Sequence, residues 1–205
     1  MKNVNRQKLI QIGAKAMLAK SYHAVGIQEI LTEADIPKGS FYHYFSSKED
    51  FGVAIISYYG QQLAALIEER LADEALSPRR RMQEYFLAIR EYYAKLGYGQ
   101  GCLVAKLATE VAGASACMRF ALKREFDGWL RLFAACIRQA QQAGEIADGH
   151  VPEELAEFIY SSWEGVLIRM QVNHDVRPLD MFIHYVFHQL LPLRSPAGDE
   201  SCDKP

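Results

Sequence analysis

The chain has little of what marks a membrane, secreted or metal-binding protein. It contains no run of about eighteen apolar residues, the length a spanning helix needs. Its first stretch, MKNVNRQKLIQIGAKAML, is interrupted by Gln11 and Lys15 and does not read as a signal peptide. The four cysteines (Cys102, Cys117, Cys136 and Cys202) form no CxxC pair and stand at no metal-ligand spacing. No strand-like alternation persists, and no internal repeat is visible. The glycines of GYGQG, residues 97–101, are preceded by no strand and followed by no GK[ST], so they make no phosphate-binding loop. These absences lead to the expectation of a cytoplasmic, all-α chain with no cofactor, no metal and no membrane partner.

Half of the residues are apolar, enough for a substantial core. The net charge of −2 hides an asymmetry. Residues 1–48 hold seven Lys/Arg against three Asp/Glu, and the remainder is acidic. A basic segment on an acidic body suits a polyanion-binding module joined to a second part.

Helical periodicity runs through the chain. Ile10, Ala14 and Met17 share one face of a first helix over about 6–20. GIQEILTEA is a short second helix with Ile27, Ile30 and Leu31 inward. Pro37 opens a third, because proline suits a first helical turn. Ser46 with Glu49 reads as a capping box that starts a long fourth helix. Pro78 starts another, ending before GYGQG. A short helix begins at Cys102, a long one ends near Gly144, and two apolar ones follow. Residues 195–205, polar with proline and glycine, read as a flexible tail.

The segment IPKGSFYHYFSSKEDF crowds aromatic side chains and lysines together. On a helix, Phe41 and Phe45 share a face and turn inward, while Lys38, Ser40, Tyr42, His43 and Tyr44 cannot all follow them. Gly39 removes a side chain where something must come close. Two short helices and a tight turn make a helix-turn-helix over about 26–45, whose second helix enters the DNA major groove.

ADIPKGSFYHYFSSKEDF, residues 34–51, resembles the helix-turn-helix of TetR-type transcriptional repressors and matches their pattern without a gap. QGCLVAKLATEV and WEGVLIRMQ are similar to the NemR- and AcuR-type branch of that family. The resemblance implies a DNA-binding head (1–48) and a ligand-sensing, dimerising body (49–194). It also implies a near-palindromic double-stranded operator and small reactive or unsaturated inducers. It assigns Lys38, Gly39, Ser40, Tyr42, His43 and Tyr44 to the recognition helix, with His43 either a contact or a support for the first helix. Lys38 and Ser40 are assigned to base edges, and Tyr42, Tyr44 and Lys48 to phosphates. Family members often open the second helix with Thr or Ser; this chain has VGIQ there, so Gln28 takes the backbone contact.

In the body, a thiol at a helix start sees the positive end of the dipole, which favours thiolate. Cys102, beside three glycines, is therefore the candidate sensor. Tyr98, Trp129 and Trp163 are candidates to line an effector pocket with it, though aromatics of this kind also serve as core. Leu155, Phe158, Ser162 and Val166, with Phe182, Val186 and Leu190 on the last helix, are the expected dimer interface, a four-helix bundle between two copies. Two other readings stand beside the repressor. One is an enzyme using Cys102 as nucleophile with His150 or His174 as base, for which no spacing supplies the remaining parts. The other is an effector-independent DNA-binding dimer.

Overall fold

The computed structural model describes residues 2–193, with only the backbone described for Lys2 and Asn3. The expected tail 195–205 and Cys202 lie outside the described residues. Among the described residues eight α-helices run in order: α1 (Lys2–Ala19), α2 (Ile27–Ala34), α3 (Lys48–Leu71), α4 (Pro78–Leu96), α5 (Leu103–Val111), α6 (Ala116–Gln142), α7 (Pro152–Asn173) and α8 (Arg177–Tyr185). The described residues contain no strand. Among them no helix is long and apolar enough to cross a membrane, and no group of three or more His, Cys, Asp or Glu could hold a metal ion.

The third element of the head is a 3-10 helix, Lys38–His43, rather than an α-helix. Six residues between a proline and the next cap leave room for little more than two tight turns. Before it, Asp35 closes α2 in the left-handed region at φ 55°. Phe41 and Phe45 are nonetheless both buried, with ring centroids 5.5 and 4.8 Å from that of Phe51. The core of the head therefore extends past residue 48 into the first turns of α3.

The cap of α3 sits one residue later than the sequence pattern suggests. Ser47 accepts from the Asp50 backbone N–H at 3.0 Å, and the Asp50 carboxylate accepts from the backbone N–H and hydroxyl of Ser46. Glu49 is thereby freed to accept a hydrogen bond from Ser115, the N-cap of α6. Aspartate is short enough to close this local box, so the longer glutamate reaches another helix.

Helix α3 is continuous from head to body. Gly13 lies so close to it that a Cβ there would meet Phe51 and Ile55 at 2.4 and 2.7 Å. Further along, Gly60 faces Glu125 of α6, and the Gly60 carbonyl accepts from the Trp129 indole at 3.0 Å. One buried apolar cluster runs without a break from Leu9 in the head to Leu191 in the body.

Candidate functional site

The head presents one polar face. Lys38, Gly39, Tyr42 and His43 are exposed, and Ser40 and Tyr44 are half-buried. Tyr42 is 69% exposed, although its ring meets Phe41 edge-on at 5.4 Å. A Cβ at Gly39 would touch nothing of the chain within 4 Å, so the fold itself does not require glycine there. Asn5 of α1 donates to the Tyr44 hydroxyl at 3.4 Å. It is thus Tyr44, and not His43, that bonds the first helix. Gln28 is exposed on α2 and donates to Thr32 at 3.2 Å. Lys48 lies across the Tyr22 ring at 4.8 Å and near the His23 carbonyl at 3.5 Å, and its partial burial lowers its pKa. These contacts hold the lysine at the rim of the polar face.

The body contains two adjoining hollows. An inner cavity of about 420 Å³ lies between α3, α4 and α7, walled by aromatic rings, with Arg70 exposed at its edge. A larger groove of about 900 Å³ follows α5, α6 and α7 and reaches Leu18 and Ala19 of α1. Cys102, Tyr160, Glu164 and Leu167 line both, so they form the partition.

Cys102 is the N-cap of α5, one position before the first turn, and is buried. Burial, followed by the neighbouring Glu164 carboxylate, pushes its thiol pKa well above its ordinary value. This corrects the expectation of a thiolate: desolvation and a nearby carboxylate outweigh the dipole of a nine-residue helix. Burial in turn raises Glu164 to about 7 against the lesser pull of Cys102, and its Oε1 finds no hydrogen-bond partner.

Of the aromatic candidates, Trp163 does line the inner cavity, packed on Phe86 at 4.9 Å and Phe182 at 5.1 Å. Trp129 does not: it is fully buried, its one polar atom spent on Gly60. Tyr98 also lies outside both linings, on a half-buried left-handed turn at φ 66°. The residues that sequence reasoning missed are Tyr59, Tyr85, Tyr160 and above all Glu164. Glu164 carried a readable signal, since it shares a helix face with Tyr160 and Leu167 and interrupts an apolar run.

Besides α3, helix α5 joins the cavity to the head. From α5, Lys106 donates to the Leu18 and Lys20 carbonyls at the end of α1, and Glu110 accepts from the Tyr22 N–H at 2.7 Å. Helix α1 has no basic residue in its own last turn, so Lys106 supplies that cation from another element.

The expected dimer stripe requires correction. Leu155, Phe182 and Val186 are each 5% exposed within a single chain, and Ser162, Val166 and Leu190 are half-buried. The most apolar stripe is consumed by the chain's own core. Of the expected set only Phe158 stays exposed, in a second stripe where Phe158, Ile168 and Val172 are 59, 55 and 68% exposed, with Ser161 and Gly165 between them. Met181 and Tyr185 extend it on α8.

Residues 9–55 match the family model of bacterial regulatory proteins, tetR family, and residues 78–186 match that of the tetracyclin repressor-like C-terminal domain. The chain is 37% identical over 196 residues to the HTH-type transcriptional repressor DhaR of Mycobacterium sp. (strain GP1), covering 96% of this chain and 97% of that protein. It is 38% identical over 176 residues to the transcriptional regulator AcuR of Cereibacter sphaeroides, covering 86% and 80%. The crystal structure of E. coli NemR in its reduced form is similar at a TM-score of 0.83 and 27% identity, covering 94% of this chain and 99% of that one.

Proposed function

Because the chain belongs to the tetR family of bacterial regulatory proteins, whose members regulate transcription and are not enzymes, we propose that it is a homodimeric DNA-binding repressor released from its operator by a small effector in the inner cavity. The observation that carries this reading is the placement of α5. Its N-cap, Cys102, stands in the cavity wall, and one turn later Lys106 grips the end of the first head helix. A ligand that shifts α5 changes the angle at which α1, and with it the recognition helix, is held. Release requires that the effector bind the DNA-competent and the released arrangements with different affinity.

On the DNA, Lys38 and Ser40 take base edges, and Gln28, Tyr42, Tyr44 and Lys48 take the backbone. Gly39 leaves the approach to the groove open, and His43 lies on the same face. The two copies meet through the stripe of Phe158, Gly165 and Ile168.

A second mode of engagement is addition of an electrophilic or unsaturated compound to the Cys102 thiol. It is favoured by the position of that thiol in the wall of both hollows beside Glu164, a carboxylate able to take the thiol proton as sulfur bonds to carbon and to return it to the adjacent carbon. In the resting protein the thiol is protonated, so the compound must bind before it reacts.

The test is selection of DNA from a random pool by the full-length protein. The expected product is a near-palindrome whose half-sites lie one or more turns of about 10 bp apart. The selected site then serves for release assays with small molecules. A pool that shows no enrichment overturns the reading.

A further inference from the structure

Glu164 is a carboxylate in a place that is costly for one. It is carried by α7 into an aromatic wall, and one of its oxygens lacks a hydrogen-bond donor. A buried acceptor without a donor is destabilising and rare in folded proteins, and such a carboxylate in the wall of a cavity calls for a donor from a ligand. We infer that the inner cavity takes a small organic cation, a primary amine or a related ammonium compound, with its charged head on Glu164; this rests on the reading of the cavity as the effector site.

The lining fits that charge. Its one acid is Glu164, and its one base, Arg70, is exposed and stands on α3 at the edge; neither lysine nor histidine lines the cavity. The walls are the rings of Tyr59, Tyr85, Tyr93, Tyr160 and Trp163, whose faces attract a cation. Burial raises the pKa of each of these four phenols, so they remain neutral hydroxyls. Neutral phenols offer lone pairs to an ammonium without competing with it as charges. The Oε1 of Glu164 has no donor within the chain, so its carboxylate keeps acceptor capacity for a ligand. A ligand carboxylate placed here meets a carboxylate. An alcohol supplies one hydrogen bond and no charge. At about 420 Å³ the cavity is within the range that holds small organic ligands.

The experiment is calorimetric titration of the full-length protein at pH 8 with benzylamine, benzyl alcohol and benzoate, compounds of one shape and three charges. Benzylamine is expected to bind at least about tenfold more tightly than the alcohol, with benzoate weakest. In Glu164→Gln the preference for the amine is expected to fall to about twofold or less. The wild-type ranking stands on its own should that variant fold poorly. Benzoate or the alcohol binding as tightly as the amine overturns the inference, as does benzylamine failing to bind at millimolar concentration or a folded Glu164→Gln that keeps the full preference. Release of the selected operator is read separately. If the amine binds in the stated order but frees no DNA, the ligand class holds and the effector reading fails. If benzoate binds best and frees DNA, the effector reading holds and the ligand class fails.

Discussion

Lys106 Nζ lies 2.7 Å from the carbonyl oxygen of Leu18, although the two residues are 88 positions apart. A side chain of the body thus completes the hydrogen bonding at the end of a head helix. The bond couples the two parts of the chain at a point one turn from the cavity wall.

Lys106→Met should loosen that coupling. Loss of a charged hydrogen bond at a half-exposed site is expected to cost about 1–2 kcal/mol in the orientation of the head. Operator affinity should fall roughly five- to thirtyfold, with a smaller response to effector. Fluorescence anisotropy on the selected operator measures both. Unaltered affinity and release would show that the head is held by other means.

Lys48→Ala should weaken binding about equally for all DNA sequences and reduce the slope of log affinity against log salt by about one. Lys38→Ala and Ser40→Ala should instead relax the preference at particular base pairs. The check is the salt dependence and a panel of operator variants. A changed base preference in Lys48→Ala would mean that the roles are misassigned.

Glu164 predicts a pH dependence of stability. Its pKa rises from 4.5 in the unfolded chain to about 7 in the fold, so the folded state holds the proton to higher pH. Its contribution is most favourable below pH 4.5, fades as pH rises between these values, and is a full penalty above about 7. Cys102 and the phenols of Tyr59, Tyr85, Tyr93 and Tyr160 are shifted upward and stay neutral through this window. Glu164→Gln removes the penalty, so its stability relative to wild type should increase by up to about 3 kcal/mol between pH 5 and pH 8. Urea denaturation at fixed protein concentration at the two pH values reads this difference. An unchanged difference would show that Glu164 does not titrate in the window.

Phe158→Glu or Ile168→Glu should place charge in the exposed stripe of α7 and give a monomer by sedimentation at micromolar concentration, with the helical content kept. Leu155→Ala should instead destabilise the single chain, by about 2–5 kcal/mol, because its side chain is already enclosed. Dimers that survive both glutamate variants would place the interface elsewhere.

Cys102→Ser, compared with Cys117→Ser and Cys136→Ser, separates covalent from reversible sensing. If the thiol is the point of attack, only the first variant should lose release by thiol-reactive and unsaturated compounds, measured on the operator and by mass spectrometry. Release at wild-type concentrations by Cys102→Ser would assign the switch to reversible binding alone.

The all-helical fold, its TetR-type head and the regulatory class were legible in the sequence, because each rests on local chemistry. Residues 34–51 carry a gapless motif, the apolar spacing at Phe41 and Phe45 places both rings inside, and Pro37, Gly97 and Gly144 mark helix limits where the backbone requires them. Tertiary structure alone decided the rest, because it depends on which faces meet. Whether Leu155 faced its own core or a partner turned on the packing of α6 against α7, since both stripes of α7 are apolar. Whether Cys102 was a thiolate turned on a carboxylate 62 residues away that shares its dry wall, and desolvation is a property of the assembled cavity, which no helix start can reveal.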